Sequence, residues 1–168
     1  DNSFATQFTK GIDGARVTVA HEFHHAIQLG SYIYRPSDVF FYEITSTAME
    51  KFVYETLDDY LAYMGDYFRN PDRTFSQNNG YNLAIWNFMM KERFGYDIIK
   101  RQWELMPYLR ALQSIDYSLK EEGSSFLDEL NRFGVWTHFT GHRAIPGKYF
   151  KQASVYPLIR PLTTLNFN

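Results

Sequence analysis

The segment VTVAHEFHHAIQLG, residues 17–30, constrains this chain more than any other part of its sequence. It places three of the chain's five histidines within five positions, with Glu22 directly after the first of them. The run has the pattern of a helix, and residues four apart on a helix share a face, so His21 and His25 would project side by side. This segment therefore has two possible interpretations, a metal site or a polar patch on an ordinary helix.

Composition indicates a single folded domain. The chain has 168 residues, 45% of them hydrophobic and 18% aromatic, which is far more aromatic than a disordered chain. Its 17 basic and 19 acidic residues give a net charge of −2 without a basic block, so we expect no nucleic-acid partner. Cysteine is absent, which excludes disulfides and thiolate metal sites.

Targeting and membrane signals are also missing from the sequence. No apolar run approaches the roughly 18–20 residues that cross a bilayer, so we expect no membrane span. The chain begins at Asp1, without Met or a signal peptide, and we interpret residues 1–168 as one domain of a processed or larger protein.

The pattern along the chain is helical nearly throughout. Asp13 would cap a first helix that ends near Leu29, before Gly30, and Pro36 marks the loop that follows it. Ser37 or Asp38 would cap the second helix. The remaining predictions are helices over residues 39–55, 57–69, 81–94, 96–106, 108–122 and 124–140, a turn-rich break over 70–80, and an extended tail from 144.

The histidine pair matches the His-Glu-x-x-His pattern of zinc hydrolases. Zinc takes nitrogen ligands about 2 Å away in a tetrahedron, and two imidazoles one helical turn apart can supply two of them. Glu22 can then reach a metal-bound water without ligating the metal, and would act as general base. His24 lies one position off the ligand pair, so we expect it to support the site or to face solvent. The alternative is a surface helix with scattered histidines.

The gluzincin pattern, in which HExxH is followed by a Glu on the next, antiparallel helix, implies a third ligand there. A metzincin pattern would need Gly at 28 and His at 31, and the chain has Gln28 and Ser31 instead. Glu43 stands 18 positions after His25, across a loop with a proline, which suits a turn and an antiparallel return. Glu50, two turns further along, is the rival ligand.

A polar stripe on the second helix agrees with this interpretation. Its members share one face by helical periodicity and would be costly to bury without a partner: Glu43, Ser46, Thr47, Glu50 and Tyr54. A metal and the groups that orient its ligands would be that partner. The alternative is that the stripe faces water.

The segments HEFHH and YEITSTAME together resemble the gluzincin metallopeptidases, in which HExxH and a downstream Glu bind zinc. The segment YNLAIWNFMMKERFGYDII extends the resemblance to poorly characterised bacterial families of secreted metallopeptidases. The likeness runs from about Val17 to Pro157. It implies that His21, His25 and Glu43 bind Zn²⁺ and that Glu22 is the catalytic base.

The same resemblance raises three further points. Where thermolysin has an Asp that steadies a zinc-bound histidine, this chain has Thr47, and Glu50 or Thr47 would take that role. Tyr81 matches the oxyanion-binding Tyr of related aminopeptidases, although Ala84 replaces the Gly of their Tyr-x-x-Gly pattern. A histidine of the pair His138 and His142 is the alternative donor.

These observations predict a mainly α, zincin-like helical catalytic subdomain with little β-structure. Its predicted function is that of a secreted bacterial zinc metallopeptidase, an endopeptidase acting on peptide or protein substrates. Such enzymes usually carry a β-sheet before the zinc helix, and residues 1–12 are too short for one, so we expect further domains of the same protein. Two alternatives stay open: an exopeptidase, and a non-catalytic helical binding module with a structural metal or none.

Overall fold

The computed structural model describes residues 8–161, which form a mainly helical protein without a β-strand in that range. Five short 3₁₀ turns lie between or beyond the main helices, the third of them at Tyr81–Leu83. The seven α-helices are α1 (Gly11–Ser31), α2 (Val39–Val53), α3 (Leu61–Arg69), α4 (Ala84–Phe94), α5 (Asp97–Leu105), α6 (Ala111–Glu121) and α7 (Phe126–His138).

Helices α1 and α2 form an antiparallel hairpin. Gln28 near the end of α1 contacts the start of α2, whereas His21, two turns earlier, reaches Glu50 near its end. The connecting loop is fixed by the Tyr42 hydroxyl, which donates to the carbonyl of Ile33 and accepts from the backbone N–H of Arg35 at 3.0 Å. The loop thereby sets the register in which the two helices meet.

Asp38 anchors the start of α2 to the rest of the fold. Its buried carboxylate accepts hydrogen bonds of 2.7 and 2.8 Å from the guanidinium of Arg110, which precedes α6. The sequence predicted that Ser37 or Asp38 would cap α2, and Asp38 does occupy the N-cap position. Its side chain makes no capping bond there, because Arg110 engages it instead.

Helix α4 occupies the centre of the hydrophobic core. Almost every residue of its first two turns is buried, and it packs against α2 on one side and α5 on the other. Aromatic side chains fill the surrounding space, among them Phe41, Tyr60, Phe68 and Phe133, all nearly inaccessible to solvent. Much of the high aromatic content of the sequence is therefore core.

Trp103 of α5 links this core to the helix hairpin. Its ring stacks on Phe41 with 4.9 Å between centroids and meets Tyr42 edge-on at 4.9 Å. It also lies 6.3 Å from the imidazole of His24 and 5.8 Å from the ring of Tyr32. One buried indole thus contacts α1, α2 and the loop between them.

Helix α1 has its polar and apolar faces inverted relative to a surface helix. Its buried face carries two histidines and Gln28, whereas the opposite face exposes Ile12 by 69%, Val19 by 63% and Phe23 by 66%. A helix that is apolar on its outward face is more typical of a layer inside a larger core than of a protein surface.

Helix positions agree with the sequence predictions more closely than helix ends do. Helix α1 begins at Gly11 rather than at Asp13, which lies in the first turn, where its charge suits the helix dipole. Ser125 caps α7, where its hydroxyl accepts from the N–H of Asp128 at 3.1 Å. Helix α2 ends at Val53, two residues before the predicted Glu55.

The predicted extended tail is confirmed only in part. A 3₁₀ turn, Ala153–Val155, interrupts it, and no helix or strand follows from Tyr156 to Pro161. The last residues of the predicted tail, 162–168, lie outside the described range, as do residues 1–7. None of the helices in residues 8–161 is long and apolar enough to cross a bilayer, as the sequence predicts.

We predict that Trp103→Ala lowers the free energy of unfolding by about 3–5 kcal/mol, because it removes a buried indole and leaves a cavity between α5 and the hairpin. Urea denaturation followed by circular dichroism measures the change. Tyr117→Ala, at a half-exposed position of α6, is the control and should change stability by less than about 0.5 kcal/mol. A loss below about 1 kcal/mol for Trp103→Ala would show that this indole does not hold the hairpin in place.

Candidate metal centre

The hairpin brings His21, His25 and Glu43 together, as the sequence predicts. The Nε2 atoms of the two histidines are 3.0 Å apart, and Glu43 Oε2 lies 3.2 Å from the first and 3.4 Å from the second. In residues 8–161 this is the group of His, Asp and Glu side chains whose ligand atoms could hold a metal ion.

The spacing of these three atoms suits a tetrahedral metal. Ligand atoms about 2.0–2.1 Å from a zinc ion stand about 3.3 Å from one another. The three observed separations, 3.0, 3.2 and 3.4 Å, bracket that value. The three side chains therefore need little rearrangement to ligate an ion at their centre.

Hydrogen bonds orient both histidines so that Nε2 faces this centre. His21 donates from Nδ1 to the buried Glu50 carboxylate at 2.7 Å. His25 donates from Nδ1 toward Gln28 Oε1 at 2.7 Å, and Ser46 Oγ is also within 3.1 Å. A ligating histidine is commonly held this way, with its second nitrogen bonded to a carboxylate or carbonyl oxygen.

Glu50 is therefore not placed to be the third metal ligand, the role for which it was the alternative to Glu43. It binds the far nitrogen of His21 and does not point at the metal centre, whereas Glu43 does. Thr47, the other residue considered for steadying a histidine, is buried, and its hydroxyl has no hydrogen-bond partner among the described residues. Of the two alternatives, Glu50 is the residue that contacts a histidine.

Gln28 was missed as a site residue by sequence reasoning, which used it only to exclude the metzincin pattern. Its fully buried amide donates to Thr45 Oγ1 at 2.8 Å and to the carbonyl of Tyr42 at 3.2 Å. His24 Nδ1 lies 2.9 Å from the same nitrogen, so the two N–H groups of the amide are shared among three acceptors. The sequence contained one indication of this role, because Gln28 lies seven residues after His21 and so on the same helix face as the histidines.

His24 supports the site and does not face solvent. It is buried between Gln28 and Ser46 Oγ, which is 3.0 Å from its Nδ1. Burial, together with the nearby positive charges of His25 and His21, lowers the pKa of His24 to about 4. His24 is therefore neutral at physiological pH.

The electrostatics of the centre come from the two acidic residues around His21. Burial acts to lower the pKa of His21, but hydrogen bonds with Glu43 and Glu50 outweigh it and raise that pKa to about 9. Burial likewise acts to raise the pKa of Glu43, and its contacts with His21, His25 and Tyr81 instead lower it to about 2. A carboxylate that is ionised across the physiological range is available to a cation.

Tyr81 closes one side of the centre. Its ring stacks on the imidazole of His21, with centroids 5.4 Å apart and planes 7° from parallel. Burial and the facing carboxylate of Glu43 raise the pKa of the Tyr81 hydroxyl, so that hydroxyl keeps its proton. Tyr63 packs on the other side of the Tyr81 ring at 5.3 Å, and its own hydroxyl bonds to Asp59 at 3.4 Å.

The other side of the centre is open to solvent. Side-chain exposure rises from 7% for His21 to 16% for Glu43 and 20% for His25. Glu22, next to His21 in α1, is exposed, and its charge is among those that raise the pKa of Tyr81. A substrate could approach the metal centre from this open side.

His138 and His142 do not join the site. Both are exposed, and neither is hydrogen-bonded to or stacked on the ligand residues within residues 8–161.

No protein-family model, curated protein or solved structure matches the chain. Its function is therefore inferred from the chemistry of the site.

We predict that Glu43→Ala weakens zinc binding strongly, by more than about 100-fold, because it removes one of three ligands. Glu50→Ala should weaken zinc binding by about 10–100-fold, since His21 loses only its orienting partner. Competition with a chromophoric chelator measures both affinities. The control is Glu55→Ala, an exposed position beyond the end of α2, which should bind zinc as the wild type does. If Glu50→Ala strips the metal and Glu43→Ala retains it, the assignment of the third ligand is wrong.

Proposed function

We propose that this protein is a zinc metallopeptidase of the gluzincin type, with a zincin-like arrangement of α1 and α2. The observation that carries the proposal is the spacing of the two Nε2 atoms and Glu43 Oε2 at 3.0–3.4 Å. A second observation supports the proposal: Glu22, which directly follows the ligand His21, is exposed. Residues of these types in this order are what the metal-assisted hydrolysis of a peptide bond requires.

The number of ligands supports a catalytic rather than a structural metal. Structural zinc sites are closed by four protein ligands, whereas catalytic sites have three and leave one position for water or substrate. Among residues 8–161 the metal-capable group consists of three side chains, and it is partly open to solvent. A non-catalytic binding module with a structural metal would need a fourth.

Zinc held by His21, His25 and Glu43 would polarise the scissile carbonyl and lower the pKa of a bound water toward about 7. Glu22 accepts the proton of the attacking water and delivers it to the leaving amine. Glu22 is exposed and directly follows the ligand His21, which supports its assignment to this role.

Tyr81 acts on the substrate oxygen that becomes negative. Because the pKa of its hydroxyl is raised, Tyr81 remains a hydrogen-bond donor at neutral pH. The Tyr81 ring stacks on His21 and its hydroxyl interacts with Glu43, so the side chain lies beside two of the three proposed ligands. One donated hydrogen bond there stabilises the developing oxyanion.

We predict that Glu22→Gln lowers turnover by about 10²–10⁴-fold, because the amide keeps the shape of the side chain but cannot accept the proton. Zinc content and melting temperature should stay at wild-type values. Hydrolysis of unfolded, fluorophore-labelled casein measures turnover, and Glu122→Gln, an exposed position after α6, is the charge-matched control. A Glu22→Gln variant that cleaves casein at the wild-type rate would contradict the mechanism.

A blocked peptide with a quenched fluorophore distinguishes an endopeptidase from an exopeptidase. We expect cleavage within the peptide even when both termini are blocked. Cleavage only after the terminal amine is freed would establish the exopeptidase alternative. A protein that binds zinc and cleaves neither casein nor peptides would instead favour the non-catalytic module.

We predict that Tyr81→Phe lowers turnover by about 10²–10³-fold, the usual cost of one lost oxyanion donor. Substrate affinity, zinc content and stability should change little, since the ring and its stacking remain. Tyr63→Phe, which removes the hydroxyl of the neighbouring tyrosine, is the matched control and should retain turnover. If Tyr81→Phe keeps full turnover while His138→Ala or His142→Ala loses it, the donor is a histidine.

A further inference from the structure

Gly80 lies directly against the helix turn that carries Glu43. Its φ of +98° is a conformation that residues with a side chain rarely adopt. A Cβ atom at this position would lie 2.3 Å from the carbonyl oxygen of Phe40, 2.5 Å from the Cβ of Glu43 and 3.0 Å from the backbone nitrogen of Ile44. Two of these three atoms belong to the backbone of α2, which cannot rotate away.

The segment that contains Gly80 is tied down on its other side. Asn82, fully buried, donates to Asp66 of α3 at 2.8 Å and to Asn78 Oδ1 at 2.9 Å. Its backbone N–H donates to Asn79 Oδ1 at 3.2 Å. The segment is therefore held between α3 and α2, and a side chain at position 80 would have to push it away from α2.

Tyr81 follows Gly80 in the chain and reaches both His21 and Glu43. The contact at Gly80 therefore sets two distances together: that between the Tyr81 segment and α2, and that between the Tyr81 hydroxyl and the Glu43 carboxylate. A displacement of about 1 Å at such a contact is large enough to misplace a ligand and a donor.

We propose that Gly80 is a positioning residue of the metal centre. Because Gly80 has no side chain, the Tyr81 segment packs directly against α2, and this contact keeps Glu43 in ligating position. Gly80 acts through Glu43 and Tyr81. Its effect on catalysis rests on the proposed function, whereas its effect on metal binding and on the geometry of α2 does not.

The chain offers a matched control in Gly95, after α4. Its φ of +81° is also positive, but a Cβ atom there would meet nothing within 4 Å. Both Gly80→Ala and Gly95→Ala place an alanine at a positive φ, with ψ of −50° at Gly80 and −175° at Gly95, and only Gly80→Ala adds the collision with α2. Differences between the two variants report that contact.

The experiment measures zinc affinity by chelator competition for both variants, each made in the wild-type protein and in a Glu43→Ala background. We expect Gly80→Ala to weaken zinc binding at least tenfold and Gly95→Ala to change it less than twofold. In the Glu43→Ala background, Gly80→Ala should have no further effect on the residual zinc affinity. The non-additivity of the two changes is the signature of positioning through Glu43.

Two results would overturn the proposal: wild-type zinc affinity in Gly80→Ala, or an equal loss of affinity in both backgrounds, which would indicate general destabilisation. If Gly80→Ala is unfolded, both variants are measured in an osmolyte such as trimethylamine N-oxide, which favours the folded state. Failure to fold there, with Gly95→Ala folded, would assign Gly80 a purely structural role.

A nuclear magnetic resonance measurement separates this proposal from the proposed function. If the wild-type protein binds zinc but cleaves no peptide, the affinities above still decide the role of Gly80. If it binds no zinc, the amide resonances of Glu43 and Ile44 in the metal-free protein decide it. They should shift in Gly80→Ala and not in Gly95→Ala, and unshifted resonances in Gly80→Ala would contradict the proposal.

Discussion

Polar groups buried between α1 and α2 hold the site together. Burying an imidazole, an amide or a carboxylate is costly unless each finds a hydrogen-bond partner. Here His21 meets Glu50, His25 meets Gln28, and His24 lies between Gln28 and Ser46. Sliding one helix along the other by a single turn would break the bonds that cross between them, from His21 to Glu50 and from His24 to Ser46. The polar contacts therefore specify one register, which apolar packing alone would leave less well defined.

The remainder of the fold supports that register from several directions. Trp103 packs against both helices and their loop, and the Tyr42 hydroxyl fixes the loop itself. Gly80 allows a third segment to approach α2 closely, and with it Tyr81 reaches the open centre. The outward face of α1 is left apolar. This arrangement suits a helix whose polar side is reserved for chemistry and whose apolar side belongs to a core.

The sequence alone was sufficient to predict the helical class and the cluster of His21, His25 and Glu43, because helical periodicity places these residues on facing sides of two helices. For Glu50 it left two roles open, rival ligand or partner of a histidine, and it gave Gln28 none, since those hydrogen bonds depend on side-chain direction and not on spacing. Gly80 could not be recognised either, because a close approach between distant segments leaves no local pattern. The end of α2 differs by two residues from the predicted one, because the local sequence does not fix the last turn of a helix as firmly as its centre.

The most direct test is a crystal structure of the zinc-loaded protein with anomalous diffraction recorded on both sides of the zinc absorption edge. We expect one strong peak about 2.0–2.2 Å from His21 Nε2, His25 Nε2 and a Glu43 carboxylate oxygen, with the fourth position taken by solvent. Glu50 should remain bonded to His21 Nδ1. A peak at another group of residues, or a fourth protein ligand closing the site, would contradict the catalytic metal centre.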